Sequence, residues 1–127
     1  MAEKIKIMED NRKEQTEALE ILLKFNGRLI NNMQIIVKEL SGNRLEDTDK
    51  FLKSILDALN WEIQVVNGTV EVLNEGKERV SKEVFNNAII ALSDAVKAND
   101  DTMMAKAFAT IIPVFEELGE SVKEVIK

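Results

Sequence analysis

Histidine, cysteine and tyrosine are all absent from this chain of 127 residues, and proline occurs once. Without histidine or cysteine, the sequence lacks the groups that form serine–histidine and cysteine–histidine nucleophiles. The Glu-x-x-His motif of di-iron bundles cannot be formed, and disulfides and thiolate zinc sites are excluded. No glycine-rich phosphate-binding motif occurs either. The missing residues therefore exclude most of the common catalytic and metal-binding chemistry.

Acidic residues outnumber basic ones, and the formal net charge is −6. The excess lies in residues 47–127, which hold fifteen acidic and nine basic side chains, whereas residues 1–46 hold eight of each. This balance argues against nucleic acid and anionic membranes as partners, because both attract clustered lysine and arginine. The charged N-terminus predicts no signal peptide, and no run approaches the roughly 18 apolar residues of a membrane span. We therefore expect a cytoplasmic protein.

Apolar residues recur every three or four positions in four separate segments. The stripes run from Leu19 to Leu40, from Leu52 to Leu73, from Val84 to Val96 and from Met104 to Val125. This period is typical of amphipathic helices, and the stripes can be buried only against each other. The sequence therefore predicts an all-α fold, an antiparallel up-down four-helix bundle. We assign residues 15–127 to this domain and residues 1–14 to an N-terminal arm or helical extension.

Residues that cap helices lie between the stripes. Gly42 follows the first stripe and suits the left-handed conformation beyond a helix end. Ser81 and the clusters 47–49 and 99–101 precede the other stripes, where their side chains can accept hydrogen bonds from the amides of a first turn. These positions predict short connections between the helices.

Asn26 and Pro113 are expected at a similar height in the bundle. Pro113 lacks an amide hydrogen and displaces the carbonyl of Ala109, so a kink is expected there. Asn26 lies within the first apolar stripe, where a buried amide needs a hydrogen-bond partner. One hypothesis is a polar contact between Asn26 and the backbone of residues 109–113. The alternative is that Asn26 fixes helix register and Pro113 only bends its helix.

Carboxylates are the remaining candidates for chemistry. Clusters occur at residues 116–124, 46–49 and 100–101. A solvated helix face explains the first cluster and capping explains the other two, because all candidate acids fall on polar faces. We therefore predict no metal ligands, no cofactor and no catalytic residues. The competing interpretation is a small carboxylate-dependent enzyme that binds a metal or a small molecule near Pro113.

Trp61 is the single tryptophan, and it lies at the edge of the second stripe. Val65 and Val72 widen this stripe on the same side, and Phe25 lies off the main stripe of the first segment. Tryptophan is enriched among residues that dominate binding energy. These four residues are the predicted partner-binding surface. The alternative is that Trp61 is a partly buried rim residue of the bundle.

Three segments carry a resemblance to known proteins: 51–61 (FLKSILDALNW), 99–101 (NDD) and 111–118 (IIPVFEEL). They resemble small uncharacterised helical-bundle proteins of Gram-positive bacteria, in which a helix-borne tryptophan precedes a final helix with a central proline. The resemblance covers about two-thirds of the chain and implies the fold but no activity. In size and acidity the chain is also similar to flagellar and type III export chaperones, although it lacks their tyrosine-containing N-terminal segment.

These patterns favour a non-enzymatic bundle that mediates protein–protein interaction. An apolar groove beside the second helix would receive a partner helix, in a chaperone-like manner, or a second copy of the chain as a homodimer. The acidic excess favours a partner with basic flanks.

Overall fold

A computed structural model describes the backbone of residues 2–126 and the side chains of residues 11–126. The chain forms four helices: α1 (Ala2–Leu40), α2 (Thr48–Leu73), α3 (Lys82–Ala98) and α4 (Asp101–Val125). No strand occurs within residues 2–126. The predicted all-α four-helix architecture is confirmed. Of the N-terminal segment assigned to residues 1–14, the side chains of residues 1–10 lie outside the described part.

Successive helices run in opposite directions. Arg12 of α1 forms an ion pair with Glu75, which follows α2. Arg44, in the connection after α1, donates hydrogen bonds to Asp101 at the start of α4. α1 packs against both α2 and α4, whereas α3 packs against α4. α1 therefore packs between α2 and α4, and α4 packs between α1 and α3.

Most of the predicted caps are formed. Gly42 has φ +95°, and the amides of Val84 and Met103 donate to the side chains of Ser81 and Asp100. Asp47 precedes α2 but makes no side-chain capping hydrogen bond. There the hydroxyl of Thr48 is buried, accepts from the amide of Leu45 and donates to Glu39. α2 is therefore anchored by its first residue instead of by an aspartate before it.

The four stripes meet in one hydrophobic core. Its largest fully buried side chains come from α1, α2 and α4: Leu19, Leu22, Met33, Ile36, Leu40, Ile55, Leu59, Leu73, Met104, Phe108, Ile111 and Phe115. α3 contributes Phe85, whose ring centroid lies 5.6 Å from that of Phe115. Most stripe positions are buried, although Val84 at the start of the third stripe is exposed, so apolar burial between helices is the main source of stability.

α2 and α3 are separated. No α-carbon of α2 lies within 8 Å of one in α3, whereas α2 reaches α4 across the centre of the bundle. One flank of α2 therefore packs against α1, and the other borders an open groove.

None of the described helices is long and apolar enough to cross a membrane.

Candidate functional site

Two aromatic rings lie on the outer edge of the α1/α2 interface. Phe25 and Trp61 meet edge-to-face, with ring centroids 6.4 Å apart and an interplanar angle of 88°. This is a favourable arrangement for aromatic quadrupoles. Phe25 remains 52% exposed and Trp61 40% exposed. Two large apolar side chains therefore contact each other while keeping much of their surface in solvent.

The other predicted surface residues extend this edge along α2. Val65 lies one helical turn beyond Trp61 and is half-buried against the core. Val72 lies on the same side by its spacing, but it belongs to the core and is only 7% exposed. On α1, Ile21 is exposed one turn from Phe25. We call Ile21, Phe25, Trp61 and Val65 the α1/α2 face, which leaves Val72 beneath the surface.

A cleft of about 210 Å³ opens beside the two rings. α1 and α2 both line it, with Phe25, Arg28, Leu29, Asn32, Ser54, Ile55, Ala58, Trp61 and Glu62. The lining is mainly apolar, because it is formed by the edges of the two stripes. The polar groups are few, and one of them is a carboxylate.

Glu62 lines this cleft and is only 1% exposed. Its Oε1 atom is shut off from solvent, and no described residue donates a hydrogen bond to it. Burial disfavours the charged form, so desolvation raises the pKa of Glu62 from about 4.5 to about 8. Glu62 lies outside the three carboxylate clusters that were the candidate acids, so it is a buried acid that the sequence reasoning missed. Its position between Leu59 and Val66, three and four residues away, is the signal that places it on the buried side.

Arg28 is the other charged residue that lines the cleft. Its side chain is exposed, and no ion pair joins it to Glu62 among the side chains of residues 11–126. The site therefore holds a buried carboxyl group to which no side chain of residues 11–126 supplies a neutralising partner.

The opposite flank of α2 borders a second depression of about 330 Å³. Apolar residues of α2 and α3 dominate it, and it is lined by Leu56, Leu59, Asn60, Ile63, Ile89, Leu92, Ser93, Val96 and Lys97. We call it the α2/α3 groove. It results from the separation of the two helices and contains no buried acid.

Asn26 forms a buried polar contact, but with a different partner from the predicted one. It is 4% exposed, and its Nδ2 atom donates to the carbonyl oxygen of Phe115 at 3.0 Å. The predicted contact with residues 109–113 is wrong because Ala109 and Pro113 lie on the exposed side of α4. α4 continues through Pro113, whose missing hydrogen bond therefore faces solvent. The close approach of Asn26 needs Gly119, where an added Cβ would lie 2.9 Å from Nδ2.

The acidic cluster of α4 is solvated, as predicted. Glu116, Glu117, Glu120 and Glu124 are all exposed. Lys123 pairs with Glu120, and Lys77 pairs with Glu124, which lowers the pKa of Glu124. No group of three or more acids among the described residues could hold a metal ion.

Comparison with known proteins adds a family and no solved relative. No solved structure matches the chain. A family model described as "Domain of unknown function (DUF8042)" matches residues 17–121, which include all of α2 and α3 and the part of α1 that lines the cleft. Because this match spans most of the 127 residues, the chain belongs to the DUF8042 family.

Proposed function

We propose that this protein is a non-enzymatic helical bundle that binds a basic amphipathic helix of a partner protein through the α1/α2 face. The observation that carries the proposal is the Phe25–Trp61 pair. Both rings are held by a rigid helix pair and both remain about half exposed. Preorganised aromatic side chains lose little conformational entropy on binding, so they are favoured anchors.

The area left on these rings is sufficient to matter. A Phe or Trp side chain buries about 150–250 Å² when fully covered. Covering the exposed half of one ring would contribute roughly 2 kcal/mol to the free energy of binding, at about 25 cal/mol per Å² of buried apolar surface. Ile21 and Val65 extend the apolar surface by one turn on each helix. A partner helix with apolar residues three and four positions apart matches this spacing.

Charge supports a basic partner. The net charge is −6, and the excess of acidic residues lies in residues 47–127, which include α2. Opposite charge on the partner would accelerate association and disfavour acidic competitors. The proposal is therefore a helix with an apolar stripe flanked by lysine or arginine.

A peptide titration tests this proposal. The full chain would be titrated with a synthetic Leu/Lys amphipathic helix of about 18 residues, and with a Leu/Glu helix of the same pattern. We expect the Leu/Lys helix to bind more tightly, and Trp61→Ala to weaken its affinity by about 30-fold, which corresponds to about 2 kcal/mol. Fluorescently labelled peptide and anisotropy provide the signal, so the assay does not depend on the tryptophan.

Ile90→Ala is the matched control, because Ile90 is an exposed apolar residue on α3. It should leave the affinity unchanged. Ser93→Arg, which would obstruct the α2/α3 groove, should also have no effect. If Ser93→Arg abolishes peptide binding while Trp61→Ala binds as tightly as the wild type, the peptide occupies the α2/α3 groove and the proposal is refuted.

Light scattering distinguishes a partner from a second copy of the chain. A dimer that is stable at micromolar concentration and is lost in Trp61→Ala would make the α1/α2 face a self-association surface. A monomer in both variants agrees with a different partner.

Glu62 favours a second candidate, a carboxylate-dependent enzyme acting on a small molecule. A carboxyl group whose pKa is raised to about 8 can hold and transfer a proton near neutral pH. The competing interpretation of the sequence placed such a site near Pro113, whereas Glu62 would place it in the cleft at Trp61. Turnover of any substrate that is abolished by Glu62→Gln would favour the enzyme over the binding module.

A further inference from the structure

We propose that the cleft beside Trp61 binds one organic cation, the ammonium or guanidinium head of a lysine or arginine side chain on the partner, with Glu62 as its counter-ion. This inference rests on the proposed function, because the partner helix would present the cation. It adds a specific pocket and a specific chemical group to the apolar contact.

The first argument is the unpartnered carboxylate. Glu62 is almost completely buried, and Oε1 receives no hydrogen bond from the described residues. A buried carboxyl group without a partner destabilises the folded chain, and a cation that reaches it removes this cost. A neutral ligand cannot compensate the ionised form in this way. Once Glu62 is ionised, the cleft therefore favours a positively charged occupant.

The second argument is the size of the cleft. Pockets for drug-sized molecules usually measure about 300–1,000 Å³. The cleft measures about 210 Å³, which is too small for such a ligand or for a helix. One long side chain is a suitable occupant. Leu29, Ile55 and Ala58 would contact its methylene groups while its charged head lies at Glu62.

The third argument is the chemistry of the walls. Trp61 and Phe25 present aromatic surface at the cleft, and aromatic faces attract ammonium and guanidinium groups. Asn32 and Ser54 add oxygen atoms that can accept hydrogen bonds from the same head group. Aromatic surface, acceptor oxygens and a carboxylate together describe a site for an organic cation.

Arg28 is the chain's own competitor for this site. It lines the cleft on α1 and is the other titratable residue among those that line it. Its side chain is exposed and forms no ion pair with Glu62 in the described part of the chain. Arg28 therefore leaves the carboxylate open to an incoming cation.

A titration with n-butylammonium, the head and stem of a lysine side chain, tests the inference on the full chain. Ionic strength is held constant with sodium, and n-butanol is the neutral control. Trp61 is the only tryptophan and tyrosine is absent, so its fluorescence reports on the cleft alone. We expect butylammonium, but not butanol, to change this signal. The dissociation constant should fall about tenfold per pH unit up to about pH 8, because binding requires ionised Glu62.

Glu62→Gln removes the counter-ion and should weaken butylammonium at least tenfold above pH 8. Glu71→Gln is the matched control, since Glu71 is an exposed acid of the same helix. Equal binding to the wild type and to Glu62→Gln, or equal responses to butylammonium and butanol, would overturn the inference. Butylammonium could also change the fluorescence of Arg28→Gln, in a manner that needs Glu62, but not that of the wild type. Arg28 would then be the cation that occupies the site, and the inference would be overturned.

The Leu/Lys helix separates this inference from the proposed function. If the helix binds in a Trp61-dependent manner while butylammonium does not bind, the cation site is wrong and the helix-binding face stands. If the helix fails to bind as well, both are wrong. Each lysine of the Leu/Lys helix would also be replaced in turn by glutamine. If one replacement lowers the affinity for the wild type but not for Glu62→Gln, that lysine side chain is the source of the cation.

Discussion

Replacing Glu62 by glutamine should stabilise the protein, and the gain should depend on pH. Glutamine has nearly the same shape as glutamate but cannot ionise. The ordinary pKa of this carboxyl group is about 4.5, and burial raises it to about 8 in the folded chain. The substitution therefore removes an ionisation that the folded state opposes.

The sign and the pH range follow from proton binding. Below about pH 4.5, Glu62 carries its proton in both the folded and the unfolded chain, so it contributes no pH dependence. Between about pH 4.5 and pH 8, the unfolded chain releases the proton and the folded chain keeps it. The contribution of Glu62 to the free energy of unfolding therefore falls as pH rises. Above about pH 8, both states are ionised and the loss remains constant.

Each pH unit in this range corresponds to about 1.4 kcal/mol. The wild type should therefore lose about 3 kcal/mol relative to Glu62→Gln between about pH 4.5 and pH 7, and about 5 kcal/mol by pH 8 or above. Domains of this size are usually stable by about 5–15 kcal/mol, so the effect is a large part of the total.

Urea denaturation followed by circular dichroism and by Trp61 fluorescence measures both free energies across the pH range. Coincident transitions from the two signals would verify two-state unfolding. Glu71→Gln is the control, because an exposed carboxylate is hydrated in the folded and the unfolded chain alike. A difference between the wild type and Glu62→Gln that is the same at about pH 4.5 and pH 8.5 would refute the assignment of Glu62 as a buried, unpartnered acid.

Three further predictions concern the packing of the helices and their connections. Gly119→Ala should lower the free energy of unfolding by about 1 kcal/mol, since the Cβ displaces Asn26 from its buried hydrogen bond. Gly68→Ala should raise the free energy of unfolding by about 1 kcal/mol, because nothing lies within 4 Å of a Cβ there. Urea denaturation measures both variants. Equal effects at the two sites would contradict the prediction for Gly119. Arg44→Lys should lower the melting temperature, because it removes the two-pronged contact with Asp101 (Nε–Oδ2 2.6 Å, Nη2–Oδ1 2.8 Å). The decrease should shrink in about 1 M salt, where the Debye length is about 3 Å, and a decrease of the same size there would argue against an electrostatic origin.

The architecture could be predicted from the sequence because the stripes repeat over many turns. Residues such as Leu22, Leu59, Leu92 and Ile111 are buried where the period places them. The gap between α2 and α3 could not be predicted, because a hydrophobic period gives the direction of each face but not the distance between helices. Ile63 falls on the period of the second stripe, yet it lines the α2/α3 groove and is half-buried.

The site was predictable only in part. Phe25 lies off the first stripe and Trp61 lies at the edge of the second, so the pattern places both at the edge of their helices. Their contact with each other could not be predicted, because it depends on the register of α1 against α2. Glu62 was missed because charged residues are normally assigned to the solvent face. The buried positions Ile55, Leu59 and Val66 nevertheless share the side of the helix that contains Glu62. A charged residue that shares the helix side of an apolar stripe is therefore the sequence signal for a buried acid.

The most direct test of helix binding at the α1/α2 face is a map of backbone amide chemical shifts in the full chain, with and without the Leu/Lys helix. We predict that the largest changes will surround Phe25 and Trp61 and continue toward Ile21 and Val65. Glu62→Gln should reduce these changes at the cleft and leave those at Ile21. Changes centred on the α2/α3 groove, or no change at saturating peptide, would contradict the account.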